Sequence, residues 1–185
     1  LQDGGAEIIH MGHNRGAEEV VRAALQEDAD GIALSSYQGG HLEYFKYMVD
    51  LLKENGAEHI RVFGGGGGVI IPEEIRELEA HGVEKIYSPE DGRQLGLEGM
   101  IQDIFKRTYA HRLIGQSHPN PTIDNHYSLA QVLTAIERSS DSSGELTALK
   151  SGWVVPALSA PILGITGPGG SGKSSLTDEL LVRFA

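Results

Sequence analysis

Cysteine is missing altogether from this 185-residue chain. Its absence excludes disulfide frameworks, thiolate metal sites, iron–sulfur clusters and cysteine nucleophiles. Basic residues are scarce as well. Fifteen lysines and arginines face 26 aspartates and glutamates, a net charge of −11, and that balance argues against a nucleic-acid partner, which would show a basic patch. A phosphate ligand stays open, because one loop of backbone N–H groups can hold it. No apolar run approaches the roughly 18 residues of a membrane span, and the N-terminus has no signal-peptide pattern. A soluble, cytoplasmic protein with no membrane partner is expected. What the chain has in excess is glycine, 25 residues, about twice the usual share. Glycine at that level, without a collagen period, points to tight turns and to backbone that meets a ligand.

The rest reads as alternating strands and helices. Short apolar runs at Glu7–Gly12, Asp30–Ser36, His59–Phe63 and Glu84–Ser88 predict strands. Helical spacing predicts helices over Ala17–Asp28, His41–Asn55, Pro72–His81 and Leu95–His111, with Gly56 and Gly82 as stops. Short connections between them indicate βαβ units: an α/β, flavodoxin-like (Rossmann-like) parallel sheet with helices on both faces. Leu1–Gly5 reads as the end of a helix and its glycine cap, so a first strand and helix are expected upstream. From about Gln116 the texture changes. Ser117–Pro121 and Ser139–Gly144 are loop compositions, and Ser128–Arg138 between them has helical spacing with Ser128 as N-cap. The expected organisation is one domain over 1–113, a helical linker over 114–160, and the start of a second domain over 161–185.

That second domain opens on Gly167-Pro168-Gly169-Gly170-Ser171-Gly172-Lys173-Ser174, which fits G-x-x-x-x-G-K-[ST] without a mismatch. An apolar strand, Pro161–Thr166, leads in, and an amphipathic helix, Ser175–Ala185, leads out. The glycines let successive N–H groups turn toward phosphate oxygens, and the helix N-terminus adds positive potential. Gly169, Gly170, Ser171, Gly172, Lys173, Ser174 and Ser175 are the expected nucleotide-binding residues. Lys173 would reach the β- and γ-phosphates, and the Ser174 hydroxyl would hold Mg²⁺.

A second constellation joins Ser35-Ser36-Tyr37-Gln38-Gly39-Gly40-His41 with the five glycines Gly64–Gly68. Each follows a strand, at the edge where open α/β sheets bind ligands. On fold grounds alone the first is also an ordinary loop capping a helix. Five consecutive glycines cost backbone entropy on folding, and a flat or bulky ligand lying on bare backbone would offset it. Val69 stands where G-x-G-x-x-G needs its last glycine, so a nicotinamide site is disfavoured.

On these residues the segment from about Glu7 to Thr108 resembles the cobalamin-binding domain of adenosylcobalamin-dependent acyl-CoA mutases. Their pattern is D-x-H-x-x-G, then S-x-L, then G-G. Ser35-Ser36-Tyr37 stands for S-x-L, with tyrosine in place of leucine, and the 26 residues from Gln38 to Phe63 match the family's spacer to Gly64. Ser36–His41 and Glu43–Met48 resemble most the fused isobutyryl-CoA mutases. In that subgroup a cobalamin domain, a linker, a P-loop G-protein chaperone and the mutase barrel follow in order.

The resemblance implies adenosylcobalamin bound base-off, its tail near Ser35, Tyr37 and the glycine loop. Ser35, Tyr37, Gly39, Gly40, His41, Gly64, Gly65, Gly66, Gly67, Ser88 and Pro89 are the implied cofactor residues. It implies a radical rearrangement between isobutyryl-CoA and n-butyryl-CoA, with the acyl-CoA held by a domain outside this chain and no catalytic residue within it. It further implies GTP and Mg²⁺ at the P-loop, gating of cofactor loading by GTP, and a homodimer at full length. Met11-Gly12-His13-Asn14-Arg15-Gly16 imitates D-x-H-x-x-G, but only 18 residues separate Gly16 from Ser35, far fewer than the family's spacer. Met11 also supplies no carboxylate to hold an imidazole. His13 is therefore not expected to ligate cobalt, and the motif itself is expected before Leu1. Two alternatives stay open: a corrinoid carrier or sensor, and a non-enzymatic flavodoxin-like regulatory domain joined to a P-loop ATPase.

Overall fold

Gly40, with φ of 84°, turns the chain out of a first strand and into a helix, and the same strand-to-helix step recurs twice more. The computed structural model describes residues 1–37, 39–111, 125–138, 147 and 163–184. In chain order the elements are α1 (Ala17–Gln26), β1 (Gly31–Ser35), α2 (His41–Glu54), β2 (Arg61–Gly65), α3 (Pro72–His81), β3 (Lys85–Tyr87), α4 (Pro89–His111), α5 (His126–Arg138) and α6 (Lys173–Phe184). The chain divides into two units, Leu1–Trp153 and Val154–Ala185.

In the first unit the three strands form a parallel sheet in the order β1-β2-β3. Its register pairs Ser35 with Gly65 and Gly65 with Tyr87. Ile32, Val62 and Ile86, one from each strand, share a core with Val20 and Val21 of α1, Phe45, Met48 and Leu52 of α2, and Leu78 of α3. Burying a side chain of this size is worth roughly 1.5–3 kcal/mol, so this face sets the sheet's orientation. Phe63 points the other way. A Cβ on Gly31 would meet the Phe63 ring and Thr108 of α4, which puts α4 on the opposite face.

Two expected strands are not found among the described residues. Residues 7–12 are irregular, with Ile8 and Ile9 about half exposed, and residues 163–168 are irregular as well. Neither has a strand beside it among the described residues, and a strand without a ladder partner leaves its backbone groups unpaired. Residues 161 and 162 lie outside the described set. The N-terminal turn is as expected: a 3-10 turn at Gln2–Gly4 closes on Gly5 with φ of 94°.

The last two helices of the first unit also differ from expectation. Helix α4 begins six residues before the expected Leu95 and is broken at Gly96, where φ is 66° and ψ 177°. Helix α5 falls inside the expected linker, yet it packs on α1 and buries Ser128, Ala130 and Val132. Its cap is Asn125, whose Oδ1 accepts the Ser128 N–H at 3.0 Å. Tyr127 stacks on His59 with centroids 6.1 Å apart and planes 16° from parallel. Residues 126–138 thus belong to the first unit's packing. The loop compositions at Ser117–Pro121 and Ser139–Gly144 lie outside the described residues. No described helix is long and apolar enough to cross a membrane.

Candidate functional site

At the carboxyl edge of the sheet, the Ser36 N–H donates to the Gly65 carbonyl at 2.9 Å, which ties the loop after β1 to the glycine run after β2. The five glycines are there for different reasons. A Cβ on Gly64 would lie 2.5 Å from Phe45 Cζ and 2.6 Å from Ile86 Cδ1, and one on Gly66 would lie 2.6 Å from the Ser36 carbonyl oxygen. Gly67 and Gly68 have φ of 56° and 92°, values that only glycine adopts freely. Gly65 alone meets neither demand: a Cβ there would find only the Tyr87 carbonyl oxygen, at 3.6 Å, an ordinary contact. Packing and backbone torsion therefore account for four of the five, and the fifth leaves bare backbone that neither explains.

The other expected cofactor residues surround this gap unevenly. Tyr37 is 69% exposed, and its ring edge lies 2.8 Å from where a Gly67 side chain would begin. Gly39 and Gly40 have open space above them; Gln38 between Tyr37 and Gly39 lies outside the described residues. Ser35 is exposed at the end of β1. Pro89 Cγ lies 3.4 Å from the Cβ position of Gly68, so the start of α4 borders the glycine loop.

Two expected ligand residues have structural partners of their own. The His41 ring is buried, with Nε2 3.0 Å from Glu74 Oε2. That carboxylate also accepts the Ile71 N–H at 3.0 Å. The Ile71 bond first, then the His41 bond, hold Glu74 below the ordinary carboxylate range. His41 thus joins the first turns of α2 and α3. Ser88 caps α4: its Oγ donates to Asp91 Oδ2 at 2.6 Å, its N–H donates to the same oxygen, and its Oγ accepts the Asp91 N–H. Burial raises Asp91, but the Ser88 bonds and nearby Lys85 outweigh it and leave the carboxyl below its usual range.

Sequence reading missed Tyr87 and the network behind it. The Tyr87 hydroxyl donates to Asp103 Oδ2 at 2.8 Å. The same oxygen accepts Arg107 Nε at 2.8 Å, and Arg107 Nη1 donates to Glu84 at 3.1 Å. Burial first and the Asp103 bond second push the Tyr87 phenol well above its ordinary value. The available signal was the spacing of Asp103 and Arg107, four residues apart on one helix face. His13 is exposed in the irregular stretch before α1, whose N-cap is Gly16. Among the described residues no cluster of three histidine, aspartate or glutamate side chains is placed to hold a metal ion.

The fit to a corrinoid rests on this edge. A large cofactor with a flat heteroaromatic tail needs backbone without side chains, and Gly65 provides it beside the loop after β1, where Gly39 and Gly40 are open.

In the second unit residues 167–172 form a tight turn. Gly170 and Gly172 have φ of 76° and 77°, and the Ser171 N–H donates to the Pro168 carbonyl at 3.3 Å. Lys173 opens α6, and its Nζ donates to the carbonyls of Gly167 and Pro168, each at 2.8 Å. Ser174 is exposed beside it. An open cleft next to the turn is lined by Ile165, Lys173, Ser174, Thr177, Asp178 and Leu181.

Comparison with known proteins gives a match of residues 1–92 to the family described as B12 binding domain. The chain is 56% identical along its whole length to a fused isobutyryl-CoA mutase of Cupriavidus metallidurans, and 50% identical to one of Geobacillus kaustophilus. It spans 17% and 18% of the length of those two proteins. It is also 33% identical to the pivalyl-CoA mutase small subunit of Xanthobacter autotrophicus, over 65% of this chain and 79% of that protein.

Proposed function

The chain belongs to the B12-binding domain family, and on that footing we propose that it holds the adenosylcobalamin of an acyl-CoA mutase at the carboxyl edge of its sheet. The observation that carries this reading is Gly65, the glycine that neither packing nor backbone torsion requires. The backbone from Gly64 to Gly68 would form the floor, with Ser35, Tyr37, Gly39 and Gly40 on one side and Ser88 and Pro89 on the other. His41 would act from beneath, by fixing the loop's exit into α2 through Glu74. When bound, the cofactor supplies radical chemistry for the interconversion of isobutyryl-CoA and n-butyryl-CoA. The acyl-CoA would be held by another part of a longer, cytoplasmic, homodimeric protein. The test is titration of the chain with adenosylcobalamin, followed by ultraviolet–visible absorption. A saturable spectral change of base-off type is expected; its absence at high protein concentration would overturn the reading.

A nucleotide site is proposed in the second unit, on the strength of the Lys173 geometry. The ammonium lies on two loop carbonyls, at the mouth of a turn that offers its N–H groups to an anion. A phosphate would draw Lys173 off these carbonyls, and Ser174 would hold Mg²⁺. The choice of GTP, and its role in gating cofactor loading, follow from the likeness to the fused mutases. Binding of a fluorescent GTP analogue in the presence of Mg²⁺ is the check, with ATP as competitor.

A further inference from the structure

Helix α5 is held on the first unit in two places. At its first turn, Tyr127 packs against the core cluster and covers His59, in the turn that leads into β2. The two rings are 6.1 Å apart and 16° from parallel. The Tyr127 hydroxyl oxygen lies 3.1 Å from Nε2 and 3.4 Å from Nδ1 of the imidazole. Farther along, Ala130 and Val132 are buried where α5 meets α1.

The two holds differ in kind. Burial of Ala130 and Val132 does not depend on pH, whereas His59 can change its charge near neutrality. Either neutral tautomer puts an acceptor nitrogen within reach of the Tyr127 hydroxyl. The imidazolium has two N–H groups and no acceptor. Burial first and the Asp28 charge second push the Tyr127 phenol up to about 12, so at neutral pH it remains a donor. Around His59 several influences compete. Burial is the largest and opposes charge; Asp28 and Asp30, in the turn before β1, favour it; Arg61, at the start of β2, opposes it. Glu58 and His126, the chain neighbours of the two rings, are both exposed. The balance holds the imidazole below its ordinary value, so a cation under Tyr127 is disfavoured while α5 is in place.

The sign of the pH dependence follows. A base whose pKa is lowered by docking opposes docking once it takes up a proton. The hold on α5 is at full strength above the free histidine value, about 6.5, weakens as pH falls through it, and levels off below the lower docked value.

We propose that α5 is a strap latched to the amino edge of the sheet through Tyr127 and His59, and that protonation of His59 loosens it and bares the α1 surface beneath. The latch lies at the opposite end of β2 from Gly65, and its release requires neither ligand.

Hydrogen exchange of the 185-residue chain, expressed as protection factors at pH 7.5 and 5.5, reads the latch. Protection of the amides of residues 130–136 should fall about threefold or more on acidification, and that of residues 48–52 in α2 should change less. His59→Phe keeps a ring under Tyr127 and cannot take a charge, so α5 protection in that variant should be the same at both pH values. The wild-type His59 Cε1–H resonance keeps the test open should the variant fail to fold. It should titrate below the ordinary histidine value, and move up toward it in Tyr127→Ala, which removes the cover. Four results would each overturn the proposal: an α5 without protection at either pH, an equal response or none in the two helices, a pH response that survives His59→Phe, or a His59 that titrates at its ordinary value or above.

Discussion

The chain carries two glycine-rich loops, Gly64–Gly68 and Gly167–Gly172, and they use glycine in different proportions for packing and for torsion. In the first, neighbours add their demand to the positive φ of Gly67 and Gly68: Phe45 and Ile86 press on Gly64, and the Ser36 carbonyl presses on Gly66. In the second, it comes from torsion: Gly170 and Gly172 have positive φ and nothing within 4 Å of where a side chain would start. The first loop is moulded by the domain around it. The second is moulded by its own turn and by one lysine across its mouth. A substitution in the first loop should therefore be felt as folding energy, and one in the second as ligand affinity. Gly65 is the exception in the first loop, and that exception points to a ligand.

The sharpest way to break this comparison is Gly64→Val. Its side chain would enter a space already filled by Phe45 and Ile86, so a loss of about 3 kcal/mol or more is expected, at the upper end for overpacking. Urea denaturation would measure it, and a loss under about 1 kcal/mol would mean the neighbours yield and the first loop is not moulded by packing. Next in size is Lys173→Ala. Stability should change little, since among the described residues Lys173 is bonded only to backbone carbonyls of its own loop. GTP affinity should fall about a hundredfold or more, because the β- and γ-phosphate charge loses its partner. Unchanged affinity by equilibrium titration would remove the nucleotide assignment.

How much of this was legible beforehand follows the same division. Torsion and pattern are local, and the sequence carries them openly. The G-x-x-x-x-G-K-[ST] run, the Gly5 cap and the helix over Pro72–His81 could be read directly. Neighbour effects could not. Nothing local says that Gly64 lies under Phe45, 19 positions away in the chain, or that Gly65 does not. The early start of α4 could have been read from Ser88 and Asp91, a capping pair three residues apart, but Gly92 and Gly96 mask the helical period there. Residues 126–138 read as linker because their apolar stripe is short, and only the packing on α1 makes them part of the domain. The strands expected at Glu7–Gly12 and Pro161–Thr166 have the right composition; pairing, which composition cannot supply, decides whether they form.

Gly65→Val sharpens the comparison from the other side. The position lies in a strand, where a β-branched residue fits, and a Cβ there meets only an ordinary contact. Stability should stay within about 0.5 kcal/mol, while cobalamin affinity should fall about tenfold, as the new methyl groups cover the bare backbone. Thermal melting and corrinoid titration of the same variant provide the check. A large drop in Tm with affinity intact would make Gly65 one more packing glycine.

The smallest effect concerns the clamp at the first loop's rim. Gly68 lies against Pro89, and Pro89 is fixed by the Ser88–Asp91 bonds, so this loop leans on a carboxylate. The second loop leans on backbone carbonyls, with no carboxylate in the clamp. Asp91 is held below its ordinary value in the fold. A depressed carboxyl stabilises the folded state at pH values above its unfolded pKa, near 3.9, and that contribution disappears as pH falls through the lower folded value. Asp91→Ala should accordingly cost about 1 kcal/mol at pH 6, the usual worth of a helix cap. The difference from wild type should then shrink through the pH range below about 4. Hydrogen exchange of the Gly66–Gly68 amides should rise in the variant at pH 6, while exchange of the Gly170–Lys173 amides stays as it is. A stability difference that holds unchanged down to pH 2.5 would show that the Asp91 charge contributes nothing to the clamp. The contrast between a loop held by its neighbours and a loop held by itself would then rest on packing at Gly64 and Gly66 alone.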